Sequence, residues 1–211
     1  MKSDSYIICI GRQLGSGGRE VAQKLAQKLG IAYYDKEIIA EAAKESGLDL
    51  SCFEKVDETP SNSFLSCLAG GFEFPFYPVG TTSESSYLGG NNLFQIQSDT
   101  IVELAKKGSA VFVGRAADYV LREHPRMLSL FLTASLEDRI ARVSKLMDIS
   151  DEKAKEMIVR CDKKRAEFYN YYTFRRWGDA AGYDICLNTS IHSIDEVVEE
   201  IVSVVNERFL R

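Results

Sequence analysis

Residues 9–20, CIGRQLGSGGRE, place four glycines, two arginines and a serine within ten positions. Glycines give the backbone positive φ angles and let it approach a ligand closely, so consecutive N–H groups can converge on an anion. If a helix begins at the end of the turn, its N-terminal amides add to the same nest. The chemistry suggested is phosphate binding, through Gly11, Arg12, Gly15, Ser16, Gly17, Gly18, Arg19 and Glu20. The usual phosphate loop, G-x-x-x-x-G-K-[ST], differs in two respects. Gly11 to Gly17 is one residue longer, and Gly18 fills the lysine slot, so another cation has to supply the missing charge. A glycine cluster that merely turns a strand into a helix is the plain alternative. The position at the chain's first strand and helix, with Arg12 and Arg19 flanking it, favours phosphate.

A second basic feature lies far along the chain. Residues 160–176, RCDKKRAEFYNYYTFRR, carry six basic and two acidic residues, a local +4 in a chain of net charge −5. Such a run is often a solvated helix face. Cations concentrated against the overall balance are relieved by an anionic ligand, and guanidinium groups pair with phosphate oxygens without losing their proton. On a helix, Arg160 meets Lys163 or Lys164, and Asp162 meets Arg165, at three- or four-residue spacing. Carried on a lid, they could close over a site.

These groups need a scaffold. Apolar runs of strand length, rich in β-branched and aromatic residues, fall at 6–10, 31–34, 110–113, 128–132 and 184–187. Their alternation with helical patterns predicts α/β architecture, a parallel sheet covered on both faces. Ser193 with Glu196 forms a capping box opening a final helix whose stripe is Ile194, Val197, Val198, Ile201, Val202, Val205 and Phe209. Ser135 opens another helix, on which Arg139 and Arg142 read as surface decoration, and Ser150 a third, running to about Tyr171. Residues 57–92, with three prolines and two Gly-Gly pairs, read as an irregular flap.

Composition bounds the rest. A chain of 211 residues, 45% hydrophobic, suits one domain, and a pI near 5.2 argues against nucleic acid or anionic membrane as partner. Five cysteines without a C-x-x-C pair suggest reduced thiols in a cytoplasmic protein, and the N-terminal apolar stretch is too short for a signal peptide or a membrane span. His124 and His192 have no metal-ligand spacing and read as surface residues. Trp177, Tyr169, Tyr171 and Tyr172 read as packing.

Together, GRQLGSGGREVAQKLAQKLGIAYYDKEII, VFVGRAADYVL, LFLTASLEDRIARV and DKKRAEFYNYYTFRRWGDAAGYDICLNTS, in that order, resemble the cytidylate kinase-like proteins of the P-loop fold. The resemblance implies a single three-layer domain with a five-stranded parallel sheet, an acceptor-binding insert at about 57–92 and a basic lid at about 145–176. It implies Gly15, Ser16, Gly17 and Gly18 around the donor phosphates of ATP·Mg²⁺, and Asp35 beside the acceptor nucleotide. Arg115 falls on the arginine of the family's D-G-R motif, which holds the acceptor phosphate, and Arg160, Arg165 and Asp162 fall on the lid. Val113 stands where that motif has its aspartate, with Asp118 nearby as a substitute, and Glu20 lies near the usual metal-binding hydroxyl, which leaves the metal ligands open. The expected reaction moves a phosphoryl group from ATP to a nucleoside monophosphate, plausibly CMP, with Arg19, Arg115, Arg160 and Arg165 stabilising the charge. A non-catalytic nucleotide-binding module and a kinase of a small non-nucleotide metabolite remain as alternatives.

Overall fold

In the strand β1 (Ile7–Arg12), side chains alternate between the two faces of a sheet, and both faces are dry: Ile7 to Ile10 are fully buried. The computed structural model describes residues 5–35 and 84–210, with side chains from residue 94 in the second stretch. β1 is central. It pairs in parallel with β3 (Ala110–Val113) on one side and β4 (Met127–Thr133) on the other, while β2 (Ala32–Tyr34) and β5 (Ile185–Asn188) form the edges, giving the order β2-β3-β1-β4-β5.

Ile8 and Ile10 pack with Val111, Leu128 and Leu130 against α1 (Gly18–Leu29) and α6 (Ile194–Phe209), through Leu25, Val197 and Ile201. Ile7 and Cys9 face the other way, toward Ile101 and Leu104 of α2 (Glu84–Lys106) and Ala117 of the short α3 (Ala117–Val120). Three layers result. A helical hairpin of α4 (Leu136–Met147) and α5 (Asp151–Thr173) stands beside the sheet on a third apolar cluster, in which Leu14 from the glycine loop packs with Val143, Ala154 and Ile158.

The five strands fall where the apolar runs predict them, and Ser135, Ser150 and Ser193 cap their helices, the last in the expected capping box. Two expectations are corrected. Residues 84–92 open α2 rather than continuing an irregular flap, and residues 57–83 lie outside the described part. β1 also runs two residues past its apolar stretch: Gly11 and Arg12 pair with Phe131 and Leu132. Cys9, Cys161 and Cys186 are free thiols. Among the described residues no helix is long and apolar enough to cross a membrane.

Asp184, just before β5, ties that edge to β4. Burial alone would raise its pKa, but bonds from the Ser129 amide (2.8 Å) and hydroxyl (2.9 Å), with Arg208 at 3.4 Å, outweigh this and hold it below the ordinary aspartate value. A lowered folded-state pKa stabilises above the unfolded value, about 3.9, and loses that contribution as pH falls through the folded one. We expect Asp184→Asn to cost about 1 kcal/mol at pH 7, modest because the group is partly exposed, and the gap to the parent to narrow below pH about 4 in urea titrations.

Candidate active site

The loop between β1 and α1 is shaped from outside. Three consecutive carbonyls are held by side chains of other elements: Leu14 by Arg139 Nε at 2.7 Å, Gly15 by Arg142, and Ser16 by Thr189 Oγ1 at 2.8 Å. A planar peptide points its N–H away from its carbonyl, so fixing the Leu14 and Ser16 carbonyls turns the Gly15 and Gly17 amides the other way. Gly15 (φ 80°) and Gly17 (φ 76°) adopt the left-handed conformation this requires. The amides of Gly15, Gly17 and Gly18 meet no acceptor among the described residues, and Gly17 caps α1 without a side-chain bond. That arrangement is an anion nest at a helix N-terminus.

The nest opens into a hollow of about 300 Å³ at the carboxyl ends of β1 and β3, where ligands bind in open α/β sheets. Gly15, Gly17, Gly18, Arg12, Arg19 and Arg165 contribute to its wall, and Glu20, Tyr33 and Asp35 border it as well. Gly11 does not. It lies within β1, where an added Cβ would come 2.8 Å from Phe131, so its expected place among the phosphate ligands gives way to a packing role. Ser16 is turned inward too: its hydroxyl donates to the Gln13 carbonyl at 2.9 Å and the residue is fully buried.

Three guanidinium groups converge here. Arg12 ends β1, Arg115 follows β3, and Arg165 comes from α5 and donates to the Arg12 carbonyl at 3.1 Å. Burial, then the charges of Arg165 and Arg115, push Arg12 down to about 9, and burial followed by Arg165 pushes Arg115 down to about 10. Gathering positive charge this closely is costly unless an anion sits between the groups. Arg115 is buried and does not itself line the hollow, which Val113 borders two residues earlier; its Nη1 lies 3.5 Å from Gln97 Oε1. It follows Gly114 (φ 74°) and precedes Ala116 (φ 53°), and its own φ is 58°. Two successive non-glycine residues in this region store strain of a kind that collects at functional sites.

Other expected residues take different places. Arg19 is 3.1 Å from Asp35 Oδ2, which also accepts from the Tyr33 hydroxyl at 3.1 Å, so this pair lies on the second-strand side of the hollow. Burial, then Asp35, push Tyr33 up to about 12. Arg160 is exposed on the outer side of α5, away from the hollow, because Ala154, Ile158 and Arg165 take that helix's inner face. Asp162, expected to reach substrate, holds the loop: it accepts from the Leu14 amide at 2.8 Å, pairs with Arg139 and lies 3.7 Å from Arg165. Asp118 is buried and accepts from the Tyr169 hydroxyl at 2.6 Å. Trp177 and Tyr169 pack as expected, while Tyr171 is exposed; His192 is exposed and His124 half-buried.

The loop-bracing arginines are the main surprise. Arg139 is buried rather than decorative. Its place four residues before the apolar Val143 could have marked it as inward-facing, though not what it would hold. Among the described residues no three His, Cys, Asp or Glu side chains gather as a metal site.

The sequence matches the profile of the cytidylate kinase-like family over residues 7–191. It is 29% identical to a cytidylate kinase of Methanopyrus kandleri, over 93% of this chain and 91% of that one. Among solved structures, an uncharacterized protein of Eubacterium ventriosum is 27% identical and superposes with a TM-score of 0.71, over 96% and 99% of the two chains. A shikimate kinase of Bacteroides thetaiotaomicron, 14% identical over 95% and 98%, shares the fold at a TM-score of 0.52.

Proposed function

Because the chain belongs to the cytidylate kinase-like family, we propose that it transfers a phosphoryl group from ATP to a nucleoside monophosphate, with CMP the first acceptor to test. The observation that carries this reading is the clustering of the Arg12, Arg115 and Arg165 charges near loop amides that meet no acceptor among the described residues. A triphosphate lies with its outer phosphates against the Gly15, Gly17 and Gly18 amides. Arg115 holds the acceptor phosphate, and Asp35 with Arg19 orients the acceptor from the second-strand side.

An acceptor phosphate oxygen is already ionised near neutral pH, so no side chain has to take a proton. It bonds to the γ-phosphorus as the bond from that phosphorus to the β–γ bridging oxygen breaks, and the electron pair stays on the departing diphosphate. Catalysis is then positioning and charge stabilisation. Mg²⁺ neutralises phosphate charge when it accompanies ATP. Glu20 and Asp35 border the hollow and offer one or two carboxylates rather than a cage, which suits an ion that arrives on the polyphosphate and keeps several waters.

The test is ADP release from ATP·Mg²⁺ against a panel of common monophosphates. Turnover with one or more supports the reading, and none, with turnover of a small alcohol instead, selects a metabolite kinase. Val113, apolar and bordering the hollow at the place of the family's aspartate, makes the second reading worth including. ATP binding without any turnover would select a binding module.

A further inference from the structure

Gly18 stands where a phosphate loop carries its lysine, and its backbone does not explain why. Gly15 and Gly17 have positive φ and Gly18 does not, so a side chain is conformationally allowed there. What excludes one is Arg12. A Cβ at position 18 would lie 2.7 Å from Arg12 Cβ and 2.9 Å from its Cγ, so the arginine's stem already fills the path a lysine would take from the helix start. Further out, a Cβ at Gly114 would come within 2.1 Å of Arg12 Nη1. Two glycines on different elements thus make a channel for one side chain, which runs from the end of β1 across α1 to the end of β3.

Arg12 borders the hollow, and among the described residues its guanidinium meets no hydrogen-bond acceptor. Arg19 is paired with Asp35 and Arg160 is exposed, so neither competes for the role. We infer that Arg12 replaces the phosphate-loop lysine: it reaches the outer phosphates from the strand instead of the helix, and Gly18 is glycine to let it pass. The inference rests on the phosphotransfer reading above and assigns within it the cation that stabilises charge on the transferring group. A planar, two-pronged donor then does what a single ammonium does elsewhere, and the weaker hydration of guanidinium suits its half-buried place.

The experiment exchanges the two positions. Arg12→Gln keeps the stem and removes the charge; Arg12→Gly empties the channel, since alanine would keep the Cβ that meets position 18. Gly18→Lys restores the missing residue against the stem, and Arg12→Gly/Gly18→Lys moves the cation back to the helix. Each is measured for ATP·Mg²⁺ affinity by calorimetry, for turnover with the best acceptor and for thermal stability. We expect Arg12→Gln and Arg12→Gly each to lower kcat about a hundredfold and weaken ATP binding. Gly18→Lys alone should lower activity, and the exchanged double variant should recover at least tenfold over Arg12→Gly. Folded Arg12→Gln with kcat and ATP affinity within twofold of the parent overturns the inference, as does a folded double variant no better than Arg12→Gly. If the parent releases no ADP with any acceptor yet binds ATP with an affinity that falls in Arg12→Gln, the phosphotransfer reading fails while Arg12 stands as the phosphate ligand.

Discussion

Arg115→Ala should lower kcat/KM for the acceptor about a thousandfold, through a higher acceptor KM and a lower kcat together. A residue that only bound substrate would raise KM alone. One that grips the acceptor phosphate as its charge is shared with the incoming phosphoryl group stabilises the transition state more than the ground state, and loses both. The site's geometry makes the effect large. Arg115 is buried, pushed down to about 10 by burial and Arg165, and adopts a left-handed backbone conformation. Arg115→Lys keeps a charge but not the fork, and should recover only part of the loss. Steady-state kinetics with the acceptor varied at saturating ATP·Mg²⁺ provides the measurement. Unchanged parameters in the folded alanine variant would remove Arg115 from the mechanism.

Asp162→Ala should cost about 3–5 kcal/mol of stability, the largest effect expected of any single change outside the apolar core. One carboxylate accepts from the Leu14 amide, pairs with Arg139 and faces Arg165, and both guanidinium groups are buried. Removing it leaves two desolvated cations that repel each other and a loop amide without its acceptor. Chemical denaturation would read the loss directly, and Asp162→Asn should recover the amide contact but little of the charge balance. A cost below 1 kcal/mol would mean that the carboxylate only accompanies a loop fixed by its other contacts.

How much of this could be read beforehand follows from what kind of force decides each element. The sheet was predictable because its strands are buried on both faces, so runs such as Ile7–Ile10 and Val111–Val113 need no tertiary information to stand out. The cap residues Ser135, Ser150 and Ser193 act locally and were equally plain. Helix α2 was not, because its start contains a Gly-Gly pair and two asparagines, and local preference there argues for a turn. In the site, the glycine nest, Arg12 and the basic segment with Arg165 could be picked out from composition and place, and Arg115 from the resemblance of its motif. The roles of Arg139, Arg142 and Asp162 could not, because a charged residue on a helix reads as solvated until the partner that neutralises it, here a loop more than a hundred residues earlier, is brought alongside by folding.

Since the carbonyls of Leu14 and Gly15 are gripped by α4, and the Leu14 amide by α5, much of the nest's shape depends on the hairpin's seating. Anion affinity and hairpin docking are therefore energetically coupled. Whatever ligand rewards the loop for being formed also fastens those helices, and by thermodynamic reciprocity whatever fastens them sharpens the loop's grip by the same factor.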